Sequence, residues 1–160
     1  MPEYYQIKNM YPLLKNPQKY LSENTVITAR SGWEIKFIMK FLDSRTDVIG
    51  WTSEDFYIPY YSPIDNKMHR YFPDFLVKFK TKDGTIVERI IEIKPYIETQ
   101  PPTIPKTKKG SHSYKMKCNI FIKNKCKWEA ATKFCEEQRK KGRELFFNII
   151  TEKDFNFEGY

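Results

Sequence analysis

The sequence predicts an α/β (α+β) fold in which a mixed β-sheet is flanked by helices. Three observations predict it: an amphipathic helical stretch near residue 31, strand-like runs between residues 54 and 94, and a second helical stretch near residue 117 followed by the apolar run "LFFNII". Helices bracketing a group of strands bury their apolar faces against it. A chain of 160 residues can bury a sizeable core and is read as one domain.

The elements follow in order. Residues 1–25, rich in Tyr, Lys, Asn and Pro, show no sustained period and read as an N-terminal arm or irregular wrap. In "RSGWEIKFIMKFLDSR" the apolar Trp33, Phe37, Ile38 and Phe41 recur at helical spacing, with Ser31 as N-cap and Glu34 three residues on, which predicts a helix over 31–43. "EDFYIPYYS" (54–62) reads as a strand ended by a Ser-Pro-Ile-Asp-Asn turn. A second strand is expected over 70–80 and a third, "TIVERIIEIK", over 85–94, stopped by Pro95. Residues 96–116 form a Pro- and Lys-rich loop. A helix over 117–141 closes at Gly142, then come the strand "LFFNII" and a last helical turn begun by Thr151.

Twenty-eight Lys and Arg oppose twenty Asp and Glu, a net charge of +8 that favours a polyanionic partner. Between Lys106 and Lys127 eight lysines occur with no acidic residue. Cys118, Cys126 and Cys135 are odd in number and lack the C-x-x-C spacing of a zinc site, as expected of a reduced, cytosolic protein whose cysteines serve as small core residues. No leader-like N-terminus and no run of membrane-spanning length is present in the sequence, so neither secretion nor insertion is expected.

The candidate chemistry centres on "RYFPDFLVKF", where Asp74 interrupts residues suited to a buried strand. Along the third strand Ile86, Glu88, Ile90, Glu92 and Lys94 share one face by parity. The connecting hairpin decides whether Asp74 joins them. A two-residue Asp-Gly loop pairs Asp74 with Ile93 and sends Glu92 to the opposite face. A three-residue loop, Lys82-Asp83-Gly84, with Gly84 left-handed, pairs Asp74 with Glu92. The sequence suits both, and we adopt the second. Two opposed carboxylates repel unless a counterion joins them. Asp74, Glu92 and a main-chain carbonyl form an oxygen set suited to Mg²⁺, with Lys94 placed to orient or deprotonate a water or to offset charge on a phosphate. Glu34 projects from the apolar stripe of its helix and is either a third acid or the capping-box partner of the Ser31 amide. Glu88, farther down the strand, is expected to pair with a lysine. Arg30, His69 and Arg70 flank the acids as candidate phosphate contacts. Lys106, Lys108, Lys109, Lys123 and Lys127 are candidate DNA-tracking residues.

The ordered set of helix with Glu, strand with Pro-Asp, hairpin and E-x-K resembles the PD-(D/E)xK nuclease superfamily. Its signature falls on Pro73-Asp74 and Glu92-Ile93-Lys94. The strings "RSGWEIKF", "IPYYSPIDNKMHRYFPDF" and "EIKPYIETQPP" are similar to the head completion nucleases of T4-type tailed phages. The resemblance implies a restriction-endonuclease-like core and a Mg²⁺-dependent DNA endonuclease, with Mn²⁺ able to substitute. Asp74, Glu92 and the Ile93 carbonyl would hold the metal, Lys94 would activate water, and Glu34 would be a catalytic acid reaching a second metal or its water. It implies DNA and phage head or neck proteins as partners, and the virion and infected cytoplasm as location. The competing expectation is a non-catalytic DNA-binding or head-tail joining protein that retains the fold.

Overall fold

The computed structural model describes residues 6–157. Its strands are β1 (Val48–Ser53), β2 (Ile58–Ser62), β3 (Lys67–Tyr71), β4 (Phe75–Lys80), β5 (Ile86–Ile93) and β6 (Leu145–Ile150). Two helices accompany them: α1 (Gly32–Phe37), which continues through a π-helical turn (Ile38–Leu42), and α2 (Ser111–Lys140). The main sheet has the order β1-β4-β5-β6, and β2 and β3 form a separate ribbon. The first three strands of the main sheet are antiparallel; β6 runs parallel to β5, as a return through the long helix α2 requires.

Several expectations are corrected. The strand expected over 54–62 begins only at Ile58, and "VIGWTS" before it is a full edge strand, β1. The single strand expected over 70–80 is two, β3 and β4, parted at Phe72-Pro73-Asp74. Proline has no N–H to give a ladder, so pairing stops there and β3 leaves the sheet to join β2. Helix α2 starts at Ser111, within the expected loop and six residues before the expected 117. The last turn, by contrast, begins at Thr151 as expected: its carbonyl accepts from the amides of Asp154 and Phe155. Residues 1–5 of the expected arm lie outside the described residues. The remainder wraps irregularly and adds Met10, Leu14 and Tyr20 to the core, and Ile7 bridges Ala29.

Side-chain alternation in the sheet sends apolar groups to two sides. One cluster joins Phe75, Val77, Ile91 and Ile93 to Trp33, Phe37 and Leu42 of the first helical segment and to the N-terminal wrap. The other packs Ile90 and Leu145 against Trp128, Ala131 and Cys135 of α2 and against Ile58, Tyr60 and Tyr71 of the ribbon. Of the cysteines, only Cys135 is fully buried; Cys118 and Cys126 are partly exposed, and all three are free thiols. Gly50 in β1 is where the Leu21 side chain lies against the strand: a Cβ there would collide with the Leu21 Cδ1.

The β4–β5 hairpin uses the three-residue loop. Thr81 N–H donates to the Thr85 carbonyl (2.9 Å), Gly84 N–H donates to the Thr81 carbonyl (3.0 Å), and Gly84 has φ +87°. Phe75 therefore faces Ile91, and one step further Asp74 comes level with Glu92.

Candidate active site

Asp74 is held from two sides. Its carbonyl accepts the Glu54 N–H (3.1 Å), and its Oδ2 accepts the Ile93 N–H (2.7 Å), so the carboxylate takes the place of a ladder partner where β4 has ended. On the opposing strand Glu92 is 8% exposed, an unusual position for a carboxylate. Its Oε2 accepts the Tyr71 hydroxyl (2.6 Å), and its Oε1 lies 3.9 Å from Lys94 Nζ. The main chain of Lys94 is fixed in turn by its N–H donating to the Ile150 carbonyl (3.0 Å). The strand copy of E-x-K thus brings its charges together, as period-two geometry requires.

Glu34 faces the same site from the start of α1. Ser31 caps the helix by accepting the Glu34 N–H at Oγ (3.2 Å), but the return bond goes from the Arg30 amide to Glu34 Oε2 (3.0 Å) and not from the Ser31 amide. Burial foremost, then the neighbouring Glu92 and Glu34 carboxylates, hold Asp74 well above the usual carboxylate range. Glu34 is raised by burial and by the charges of Glu54 and Glu92. Glu92 is raised by burial, opposed by the Tyr71 hydroxyl, by Lys94 and Lys127, and by the Asp74 amide. Burial is thus the first cause for all three acids, with Glu92 and Glu34 adding like charge beside Asp74 and with Lys94 and Lys127 drawing Glu92 the other way.

Among the described residues no three His, Cys, Asp or Glu side chains make a ready-made metal cage. The donor set instead suits a hard dication that draws only a few oxygens from protein and the rest from water or phosphate, which is the habit of Mg²⁺. Such an ion would draw on Asp74, Glu92 and the Ile93 carbonyl, with Glu34 as a further carboxylate beside them.

The remaining candidates divide. Lys127, on α2, belongs to the site: its ammonium lies 5.8 Å from the Tyr71 ring and 5.9 Å from the Tyr60 ring. Burial lowers its pKa, offset first by Glu92. Lys123 adds its charge from one turn away. Arg30 instead makes a two-armed pair with Glu54, at 2.9 and 3.1 Å. His69 bonds Asp65 (2.7 Å), and the Arg70 guanidinium lies 4.8 Å over the Tyr57 ring. Lys106, Lys108 and Lys109 are exposed ahead of α2. Glu88 pairs with Lys78 and Arg143, away from the acids. Sequence reasoning did not single out Tyr71 or Glu54. Glu54 follows β1 directly and takes φ +47°, a placement that no sequence signal announces.

A Pro-Asp at the start of one strand, Glu-x-Lys at the end of its antiparallel neighbour and an acid from the preceding helix define a restriction-endonuclease-like nuclease fold. Residues 45–152 match the model of the TnsA-like endonuclease N-terminal family, and the chain belongs to that family. It is 36% identical over 148 residues to the head completion nuclease of Enterobacteria phage T4, covering 91% of this chain and 92% of that protein. No solved structure matches significantly. The family match starts after Glu34, whereas the similarity to the phage T4 nuclease covers nearly the whole chain.

Proposed function

We propose that this protein is a Mg²⁺-dependent DNA endonuclease, able to use Mn²⁺, that acts in phage head completion before tail joining. The observation that carries the chemistry is the placement of Asp74 level with Glu92, with Lys94 Nζ 3.9 Å from Glu92 Oε1. The biological setting rests on the likeness to the phage T4 head completion nuclease. Expected partners are DNA and proteins of the phage head or neck, with the virion and infected cytoplasm as the location.

A divalent cation bound by Asp74, Glu92 and the Ile93 carbonyl supplies Lewis-acid polarisation of the scissile phosphate and a lowered pKa for water. The protein's own groups do the rest. The Ile93 N–H fixes the direction of the Asp74 carboxylate, and the Tyr71 hydroxyl fixes that of Glu92. Lys94 donates toward the attacking water or a phosphate oxygen and offsets charge that builds on phosphorus. As the water oxygen bonds to phosphorus, the P–O bond to the leaving nucleotide breaks; the water gives up a proton to solvent and the leaving oxygen takes one from solvent. Lys127, Lys123 and the lysines preceding α2 draw the backbone in; contacts to phosphate carry no base sequence, so selection is by DNA shape or ends.

The test is incubation of linear, branched and supercoiled DNA with wild type and Asp74→Ala at matched concentration and low salt, in Mg²⁺, Mn²⁺ or EDTA. Metal-dependent cutting by wild type alone supports the proposal. DNA binding without cutting by either protein favours the non-catalytic joining role.

A further inference from the structure

Tyr71 is the last residue of β3 and lies outside the four-stranded sheet, yet its hydroxyl reaches across to Glu92 on β5. Three residues later in the chain, the Asp74 carboxylate accepts from the amide of Ile93, the very next residue of β5. The turn Phe72-Pro73-Asp74 is therefore pinned at both ends to consecutive residues of one strand, with Pro73 fully buried between the pins. Proline's fixed φ leaves this short connection few ways to relax. One oxygen of each acid is thereby occupied: Oδ2 of Asp74 by Ile93, and Oε2 of Glu92 by Tyr71.

The tyrosine is itself braced. It is 3% exposed, pairs with Ile58 in the ribbon, and packs in the cluster that includes Trp128 of α2. The Lys127 ammonium lies near its ring and that of Tyr60, a cation–π arrangement. A buried tyrosine hydroxyl needs a partner, but any carbonyl would serve. Here it is aimed at the acid whose direction matters.

We propose that Tyr71 is a positioning residue for the divalent cation: by holding Oε2 of Glu92 it turns Oε1, the oxygen on the Lys94 side, toward the shared site opposite Asp74. This rests on the cation reading above. Ligating carboxylates that lose such a supporting hydrogen bond bind their metal about 10–100-fold more weakly. The same bond sets Glu92 relative to Lys94, so the oxygen that meets the cation is also the one nearest the lysine.

The experiment titrates Mn²⁺ into DNA-free protein by calorimetry, using wild type, Tyr71→Phe and Asp74→Ala, with thermal melting of each in EDTA. Phenylalanine keeps the ring and its packing, so the expected result is cooperative melting of Tyr71→Phe, a Mn²⁺ Kd raised about tenfold, and DNA cleavage restored by excess Mn²⁺. A wild-type Kd in Tyr71→Phe, with Asp74→Ala clearly weakened, overturns the role of Tyr71 and leaves the cation reading standing. So does a cleavage defect that saturating Mn²⁺ fails to restore. Equal Mn²⁺ binding by wild type and Asp74→Ala, or none by either, overturns the cation reading and this inference with it.

Discussion

Asp74 stands level with Glu92 across the β4–β5 hairpin, and its Oδ2 accepts the Ile93 N–H at 2.7 Å. Both acids have raised pKa values, burial being the first cause for each and Lys94 the cation that opposes it in both. That burial, with the groups around it, sets the response expected of each substitution.

Asp74→Asn stabilises the metal-free protein at neutral pH. The Asp74 pKa is raised in the folded state, so folding favours its protonated form. Stability from this group is full below the unfolded pKa and is lost as pH rises through the folded one. Asparagine removes the charge and keeps an oxygen for the Ile93 amide. Melting in EDTA at pH 7.5 should rise by at least about 2 °C, the size that about 1 kcal/mol produces in a chain of this length. The gain should vanish as pH falls through the raised Asp74 pKa.

Lys94→Ala leaves folding and Mn²⁺ binding largely intact and lowers cleavage by about 10²–10³-fold, the loss typical of removing one group that stabilises charge in the transition state. Single-turnover cleavage at saturating metal measures it. An unchanged rate moves the water-orienting role elsewhere.

Glu34→Gln separates the two roles of that residue. Glutamine can still accept the Arg30 N–H, so the helix start is preserved and the melting temperature in EDTA changes little. If the charge of Glu34 serves the chemistry, cleavage falls by at least about tenfold, as expected of a group taking part in proton transfer or charge stabilisation. By contrast, Arg30→Ala removes an exposed pair with Glu54 and costs less than about 1 kcal/mol of stability.

Combined replacement of Lys106, Lys108 and Lys109 by Ala weakens DNA binding across sequences. It lowers the slope of log K against log salt by about one for each phosphate that is no longer neutralised. Fluorescence anisotropy with labelled duplex in EDTA reads both quantities. An unchanged slope removes these lysines from the DNA path.

Much of the site was legible because it depends on local rules. Gly84 after Lys82-Asp83 admits the left-handed residue of a three-residue loop, and strand parity then places Glu92 and Lys94 together and Asp74 beside them. What was missed depends on tertiary packing. "VIGWTS" went unassigned: Gly50 interrupts its strand signal, and nothing local shows that Leu21 occupies the space a side chain would need. The run 70–80 has continuous strand propensity, and only the departure of β3 to pair with β2 reveals the break at Pro73. That same departure brings Tyr71 over Glu92, a hydrogen bond between residues 21 positions apart that no periodicity announces. Helix α2 was placed too late because its first residues, Ser111, His112 and Ser113, are exposed and carry no apolar stripe.

The central claim is that Asp74 and Glu92 share a divalent cation. Its most direct test is anomalous diffraction from crystals soaked in Mn²⁺. The account predicts a peak in contact with an oxygen of Asp74, with Glu92 Oε1 and with the Ile93 carbonyl, absent from Asp74→Ala crystals. Well-ordered carboxylates with no peak between them, or a peak held by other residues, would contradict it.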